Sequence, residues 1–451
     1  MPAGRIRATT STRRGRTLQA RNPSQNDSDA KAGDGHFTRA VVALAKRRTV
    51  QTAGPVYNAA GMKLVEGGVR IDERLFERLL EHRLAAPIEQ LITVADGVSS
   101  RQLVERAEAL IGAVPFFTRL AQQQGVRQLL LSAIDAVPLP QPVLMQLTLA
   151  AELHPQLLER ALMTAMLAVH LGAQEAQSRH DLAMLAACGL LHDLGMLHVD
   201  PALLTPGTPL GEAQLAQLRA HPQIGALLLE RHHEYERAVV RAIHEHHERH
   251  DGCGYPRALR GAQISPWGSV LALASVAATF FGGVRDCPQL RLSVLLKLNR
   301  GHHPAALAQR LQSLLQPEAP VAQALQALHG GDPIDALIGT CGLLDDWPQM
   351  LRTLQMQRAV AHSENRGAIV AAGELLAQLR RHLADAGIVA GQLDALRPEA
   401  RRDASLAAEL AAVAQEAAWQ VRTIARHLGG RWKGAESMPQ PLSSWLAQAG
   451  L

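Results

Sequence analysis

Apolar residues recur every three or four positions along most of the chain, which is the spacing of one face of an α-helix. The segment 56–91 begins differently, because the glycines around Gly61 favour a short extended pair. Asp72 then caps a helix, and helical spacing continues over residues 99–124. Ala and Leu supply most of the apolar content, and both residues favour helices and close helix packing. We therefore predict an all-α protein.

Shifts in composition divide the chain into four segments. The Pro-rich stretch 136–143 is the clearest boundary, because proline interrupts helices. Two long apolar stripes, 374–386 and 404–428, predict C-terminal helices that pair with each other or with a second copy in a homodimer. We predict a basic disordered tail over 1–50, a small, mostly helical N-terminal module over 51–140, a central domain over 141–320 and a C-terminal helical region over 321–451.

Composition and charge narrow the class of protein. With 451 residues, two or three domains are expected. The net charge is +5, but eleven Lys or Arg and three Asp fall in the first fifty residues, so we interpret the excess as a solvated tail and expect no specific nucleic-acid binding. The absence of a long apolar run predicts a cytoplasmic protein without a transmembrane segment. Four cysteines without a CxxC pair argue against a disulfide framework and a zinc ribbon.

Histidines are concentrated in the middle of the chain, where twelve of the twenty lie between His154 and His250. A charged Asp193 among leucines is costly unless it is paired or coordinated, and a metal ion would meet that cost. Imidazole and carboxylate together suit Fe, Mn, Zn or Ni. Each short motif alone is also compatible with a core ion pair or a solvated helix face. The candidate ligands are His192, Asp193, His221, His246 and His247.

These motifs occur in the order and spacing of one known family. They are His192-Asp193, His221-Pro222, His246-His247-Glu248-Arg249, Asp251-Gly252 and Gly254-Tyr255-Pro256. The region 145–315 thus resembles the HD-GYP family of the HD phosphohydrolase superfamily, bacterial phosphodiesterases that open cyclic di-GMP. The resemblance implies an HD-type helical bundle with a small N-terminal module and additional C-terminal helices.

The resemblance also implies roles for individual residues. Asp193 would be the bridging carboxylate and, with His192, the catalytic pair, while His192, His221, His246 and His247 would be terminal ligands of one or two divalent transition-metal ions, Fe or Mn. The substrate would be cyclic di-GMP, opened to a linear dinucleotide or GMP in second-messenger signalling, with GGDEF-type proteins as partners. The residues implied to bind it are Arg249, Asp251, Gly254, Tyr255, Pro256 and Arg257.

Three positions depart from the family pattern. Gln156 stands where the first motif histidine is expected, and His154 is about 200° away on a continuous helix, so we predict Glu152 as a substitute metal ligand on the same face. Ser275 replaces a family aspartate, and Met196 replaces a lysine. Two readings therefore stay open: an active phosphodiesterase, or a weak or inactive module that binds nucleotide or docks a protein as a signalling adaptor.

Overall fold

The structure, a computed structural model, describes residues 36–176, 178–204, 211–283, 287–316, 332–356, 363–430, 432 and 438–450. Helices form nearly all of the regular structure in these ranges, so the prediction of an all-α fold is confirmed. The α-helices are α1 (36–45), α2 (Glu73–Leu80), α3 (Ile88–Leu91), α4 (Ser100–Ala113), α5 (Pro115–Gln122), α6 (Val126–Asp135), α7 (Gln141–Leu153), α8 (Pro155–Gly172), α9 (Arg179–Leu191), α10 (Glu212–Arg219), α11 (His221–Leu229), α12 (Arg237–Glu245), α13 (Pro266–Phe281), α14 (Pro288–Leu298), α15 (Ala305–Leu314), α16 (Pro333–Met356), α17 (Ser363–Asp385), α18 (Ala390–Leu393), α19 (Arg397–Ala400), α20 (Ala404–Gly430) and α21 (Gln440–Gln448).

Short strands and 3-10 helices complete the described structure. Strands β2 (Val56–Tyr57) and β3 (Lys63–Val65) flank Gly61 and pair antiparallel, as the glycine pattern predicts. Asp72 caps α2 by accepting a hydrogen bond from the backbone of the third helical residue, also as predicted. No sequence pattern predicted the second antiparallel pair, between β1 (Val50–Thr52) and β4 (Ile92–Val94). The 3-10 helices are Leu194–His198, Pro201–Leu204, Gly261–Gln263 and Asp394–Leu396.

The predicted disordered tail is too long, because residues 36–45 form helix α1 and Val50 begins a strand. Phe37, Val41 and Leu44 recur at helical spacing and are buried in the main core. The Phe37 ring stacks on His198 with 4.7 Å between ring centroids. Burial of this apolar stripe stabilises the helix. The basic composition of the first fifty residues had favoured the prediction of disorder over that of a helix. Residues 1–35 lie outside the described part.

The main core extends from α1 to α15 and includes the predicted central domain. Helix α8 packs between α9 and α13. The approach to α9 is close at Gly189, where a Cβ atom would lie 2.3 Å from Cα of Ala165. Three of the helices around the site have proline at their first or second position, at Pro155, Pro222 and Pro266, where proline is preorganised for a helix start.

A second core lies in the C-terminal part of the chain. The apolar stripes of α16, α17 and α20 pack against one another, and α14 contributes Val294 and Leu298. The two predicted C-terminal helices thus pair within the chain, and the homodimer stays a prediction. Among the described helices, none combines the length and the apolar character needed to cross a membrane.

Candidate metal centre

The predicted ligands come together where three helix ends meet. His192 and Asp193 directly follow α9, His221 is the first residue of α11, and His246 and His247 directly follow α12. The His-Asp and His-His pairs both lie just beyond the C-terminal end of a helix. Such an end favours positive charge, because its last carbonyl groups lack helical partners.

Nitrogen and oxygen atoms of the predicted ligands converge on one point. Oδ1 of Asp193 lies 3.3 Å from Nε2 of His221 and 3.6 Å from Nε2 of His246. Nε2 of His221 lies 3.3 Å from Nε2 of His246 and 3.2 Å from Nε2 of His247. One ligand atom from each of these four residues lies within 4.8 Å of all the others. His192 is on the other side of the carboxylate, with its Nε2 3.1 Å from Oδ2.

The backbone fixes the tautomer of three histidines. In His192, His221 and His246, Nδ1 faces the carbonyl oxygen of the residue three positions earlier, at 2.8, 2.7 and 2.6 Å. A carbonyl oxygen can only accept, so the proton of the neutral ring is on Nδ1 and its electron pair is on Nε2. The same arrangement orients histidine ligands in metalloproteins.

These tautomers make the cluster a fitting site for a cation. The Nε2 atoms of His221 and His246 both carry an electron pair, so their 3.3 Å separation is no hydrogen bond between neutral rings. A carboxylate oxygen lies beside them and also only accepts. A divalent ion among these atoms would turn the repulsion into coordination, and imidazole with carboxylate is a common donor set for transition metals.

Burial keeps the side chains in the form that binds metal. It lowers the pKa of His246 to about 4 and that of His247 well below its usual range, so both rings are neutral at pH 7. Burial raises the pKa of the Asp193 carboxyl, but the His192 ring and the Arg160 guanidinium act in the opposite direction and hold that pKa well below its ordinary value. Neutral imidazoles and an ionised carboxylate need no proton release before binding.

The prediction of Glu152 as a metal ligand is corrected by the structure. Its carboxylate forms an ion pair with Arg48, at 2.7 Å from Nη2 and 2.9 Å from Nε. The helix on which the prediction rested is interrupted at His154, where α7 ends and α8 begins. Because of this break, Glu152 and Gln156 share no helix face, and Gln156 is exposed. Pro155 is the sequence signal for the break, since proline disfavours helical backbone in the residue before it.

Two residues beside Asp193 complete its surroundings. Arg160 of α8, which the sequence analysis did not select, donates from Nη2 to Oδ2 of Asp193 at 2.6 Å. Ser275 of α13 places its hydroxyl 3.3 Å from Nε2 of His192. Since Nε2 of His192 carries an electron pair, the Ser275 hydroxyl is the donor in this contact. The position of Ser275 agrees with the register that matched it to a family aspartate.

The Gly-Tyr-Pro loop lies against the cluster through Tyr255. Its ring stacks on His247 with centroids 4.6 Å apart, and its backbone N–H donates to the carbonyl of His247 at 3.0 Å. The Arg219 guanidinium lies 5.5 Å from the ring centroid. Burial, aided by the Asp193 charge, raises the pKa of Tyr255, so the phenol keeps its proton at neutral pH and can donate.

Two buried glutamates accept hydrogen bonds that stabilise this loop. The sequence motifs had indicated no role for either residue. Glu248 accepts from the backbone N–H groups of Arg257 and Leu259 at 2.7 and 2.8 Å. Glu245 accepts from the Arg257 side chain at 2.8 Å and from the backbone of Ser265 at 2.7 Å. The guanidinium of Arg257, predicted to bind substrate, is therefore bonded to Glu245.

The other predicted substrate residues are in the same loop. Asp251 accepts from the backbone of Cys253 at 2.9 Å and lies 3.2 Å from Nε2 of His302. Burial opposes ionisation of Asp251, but these contacts outweigh it and lower its pKa to about 2. Gly254 is packed so closely that a Cβ atom would lie 2.4 Å from the amide nitrogen of Arg249. The side chains of Arg249 and Pro256 are exposed.

Comparisons with known proteins find the following similarities. A family model described as "HD domain" matches residues 114–282. The "Cyclic di-GMP phosphodiesterase PA4108" of Pseudomonas aeruginosa is 45% identical over 78 residues, which are 17% of this chain and 19% of the relative. The "3'3'-cGAMP-specific phosphodiesterase 3" of Vibrio cholerae is 33% identical over 103 residues, 23% of this chain and 22% of the relative. A solved structure, "Bd1817, a HDG"Y"P protein from Bdellovibrio bacteriovorus", has 15% identity and a TM-score of 0.34, and covers 60% of this chain and 97% of its own.

The matches to these curated relatives span 19% and 22% of the relatives' own length, so the similarity is confined to one region. The matched HD domain ends at residue 282 and contains every member of the cluster. The Gly-Tyr-Pro turn follows His246 and His247 in sequence and lies against them in space. Residues 114–282 therefore match an HD domain, and the motifs of this region resemble those of the HD-GYP family of the HD phosphohydrolase superfamily.

Proposed function

We propose that the central domain is a metal-dependent phosphodiesterase that hydrolyses cyclic di-GMP to a linear dinucleotide or GMP. The observation that carries the proposal is the convergence of Asp193 Oδ1 with the Nε2 atoms of His221, His246 and His247. The names of the relatives, phosphodiesterases for cyclic di-GMP and for 3'3'-cGAMP, support a cyclic dinucleotide as the substrate class. A second messenger of this kind would place the protein in the cytoplasm, with GGDEF-type proteins as partners.

The metal would be held by the four converging residues, with His192 beside them. Fe and Mn are our proposed identities, because both accept mixed imidazole and carboxylate ligands. When bound, such an ion polarises a phosphoryl oxygen and lowers the pKa of water. Mg²⁺ fits less well, because it prefers oxygen ligands and retains several waters.

The remaining residues would bind and orient the substrate. The Tyr255 ring covers one face of His247 and keeps water from that side of the cluster, while its protonated hydroxyl can donate to a phosphate oxygen. Arg160 is 32% exposed and has further N–H groups besides the one on Asp193, so it can also face a phosphate. Arg249, exposed on the loop, would contribute a more distant positive charge.

The test compares two variants that remove the same charge. Asp193→Ala deletes the carboxylate of the cluster, whereas Asp135→Ala deletes an exposed carboxylate at the end of α6. We expect Asp193→Ala to lower cyclic di-GMP turnover by more than about 100-fold and to lose metal, because removing a metal ligand costs at least as much as removing a residue that orients one. Turnover is measured by chromatography of the products after incubation with Mn²⁺, with 3'3'-cGAMP as a parallel substrate, and Asp135→Ala should match the wild type. Equal turnover in both variants would contradict the proposal.

A signalling adaptor is the alternative that Arg160 and Ser275 favour. Ser275 stands in place of a family aspartate and supplies only a neutral hydroxyl beside His192, while Arg160 places a cation beside Asp193. An adaptor would bind cyclic di-GMP with an affinity measurable by calorimetry and would release no linear product. The same incubation with Mn²⁺ therefore separates the alternatives.

A further inference from the structure

We infer that the centre binds a single divalent ion, because Arg160 and Ser275 take the place of a second one. The inference rests on the metal-dependent function proposed above and defines it more narrowly. It follows from a count of electron pairs and donors on the two sides of the Asp193 carboxylate.

On the Oδ2 side, protein donors already satisfy the acceptors. The Arg160 guanidinium donates to Oδ2 at 2.6 Å. His192 presents the electron pair of Nε2 towards this side, and the Ser275 hydroxyl donates to it at 3.3 Å. Oδ2 and Nε2 of His192, which lie 3.1 Å apart, thus each have a donor of the chain itself, and a cation would have to displace both donors.

On the Oδ1 side, the acceptors outnumber the donors. Oδ1 of Asp193 lies 3.3 Å from Nε2 of His221 and 3.6 Å from Nε2 of His246, and both rings direct Nδ1 to a backbone carbonyl, so that Nε2 is the atom that faces the carboxylate. His247 adds a third Nε2 atom, 3.2 Å from that of His221. This side lacks a positive partner among the described residues, and an ion supplies it.

The charges around the cluster also favour a single ion. The cluster of described residues has one carboxylate, Asp193, together with three imidazoles, which add no negative charge. The Arg160 guanidinium balances that carboxylate before any ion binds. A first dication has four ligand atoms. A second dication would lie beside the Arg160 guanidinium and would have no further carboxylate as a ligand. Repulsion between the two positive charges is strong in a buried site.

The test counts Mn²⁺ ions bound to the full chain by isothermal titration calorimetry and elemental analysis. We expect one ion per wild-type chain, and one in Arg160→Lys, which keeps the positive charge. The double variant Arg160→His with Ser275→Asp replaces the guanidinium and the hydroxyl by an imidazole and a carboxylate, and we expect two ions. Arg48→His is the matched control, because it breaks a different ion pair between an arginine and a carboxylate and adds an imidazole next to Glu152. It should leave the count at one.

The outcomes separate this inference from the function on which it rests. Two ions in the wild type would overturn the inference and leave a metal-dependent phosphodiesterase intact. No ion in the wild type would contradict the proposed function itself. One ion in the wild type and one in the folded double variant, with folding checked by circular dichroism, would overturn the role given to Arg160 and Ser275. If the double variant does not fold, Arg160→His alone provides the count, and an increase above one is again expected.

Discussion

At the scale of the residue, the site depends on which nitrogen of each histidine carries the proton. Backbone carbonyls take the Nδ1 protons of His192, His221 and His246, so the Nε2 atoms are left as acceptors. Burial then keeps His246 neutral, since it lowers the pKa of this ring to about 4. The chain therefore presents a set of electron pairs that an ion completes.

Glu248 shows how one buried carboxylate shapes the neighbouring loop. Its two oxygens accept from the N–H groups of Arg257 and Leu259, and the residue is 2% exposed. We expect Glu248→Gln to lower the free energy of unfolding by about 1–3 kcal/mol, because the amide turns an N–H group towards a backbone donor that then lacks an acceptor. Urea unfolding measures the change. Glu230→Gln, at an exposed position, is the control and should change stability by less than about 0.5 kcal/mol. Equal effects of the two substitutions would contradict the role of Glu248.

The sequence was sufficient to predict the types of metal ligand, but it did not predict the residues that surround them. Asp193 among leucines indicated a coordinated or paired carboxylate, and the structure brings His192, His221, His246 and His247 around it. Arg160 had no such signal, because arginine at that place in an apolar helix is equally typical of a residue whose charge reaches solvent. Contacts between α8 and the turn after α9 depend on tertiary packing, which a single sequence does not specify.

At the scale of the element, the centre is positioned by helix ends. The turn after α9 and the start of α11 are pressed together at Gly195, where a Cβ atom would lie 2.1 Å from the carbonyl oxygen of His221. The position of His221 relative to Asp193 thus depends on the absence of a side chain at Gly195. Proline at the second position of α11 then fixes where the helix begins.

Gly195→Ala tests this contact. The methyl group must push α11 away from Asp193, so we expect a loss of about 1–3 kcal/mol in unfolding free energy and weaker Mn²⁺ binding. Gly112→Ala in α4 is the control, since nothing lies within 4 Å of its added Cβ atom and alanine favours a helix. Urea unfolding and Mn²⁺ titration measure both effects. Unchanged Mn²⁺ affinity in Gly195→Ala would show that the spacing of the two elements is unimportant.

The helix break at His154 shows why the prediction of Glu152 was wrong. The apolar pattern runs through this position without interruption, so helical spacing alone predicts a continuous element. Pro155 starts a new helix instead, and this change of direction leaves Glu152 beside Arg48. Pro155 thus decides the local structure against the apolar periodicity, and a helix break at this proline excludes Glu152 from the metal ligands.

At the scale of the whole molecule, segments on both sides of the HD domain contact its functional parts. Helix α1 places Phe37 against His198, five residues after Asp193. The turn after α14 reaches the Gly-Tyr-Pro loop. There the carbonyl of His302 accepts from the backbone N–H of His250 at 3.0 Å, and the ring of His302 contacts Asp251. Composition suggested a disordered tail in place of α1, and neither contact could be foreseen because both join residues distant in sequence.

The central claim is that an ion binds between Asp193 Oδ1 and the Nε2 atoms of His221, His246 and His247. Anomalous diffraction from crystals grown with Mn²⁺ tests it most directly, with Asp193→Ala crystals as the control. The account predicts the strongest anomalous peak at coordination distance from these four atoms, and no such peak in the variant. Wild-type crystals with Mn²⁺ bound elsewhere and no peak among these residues would contradict it.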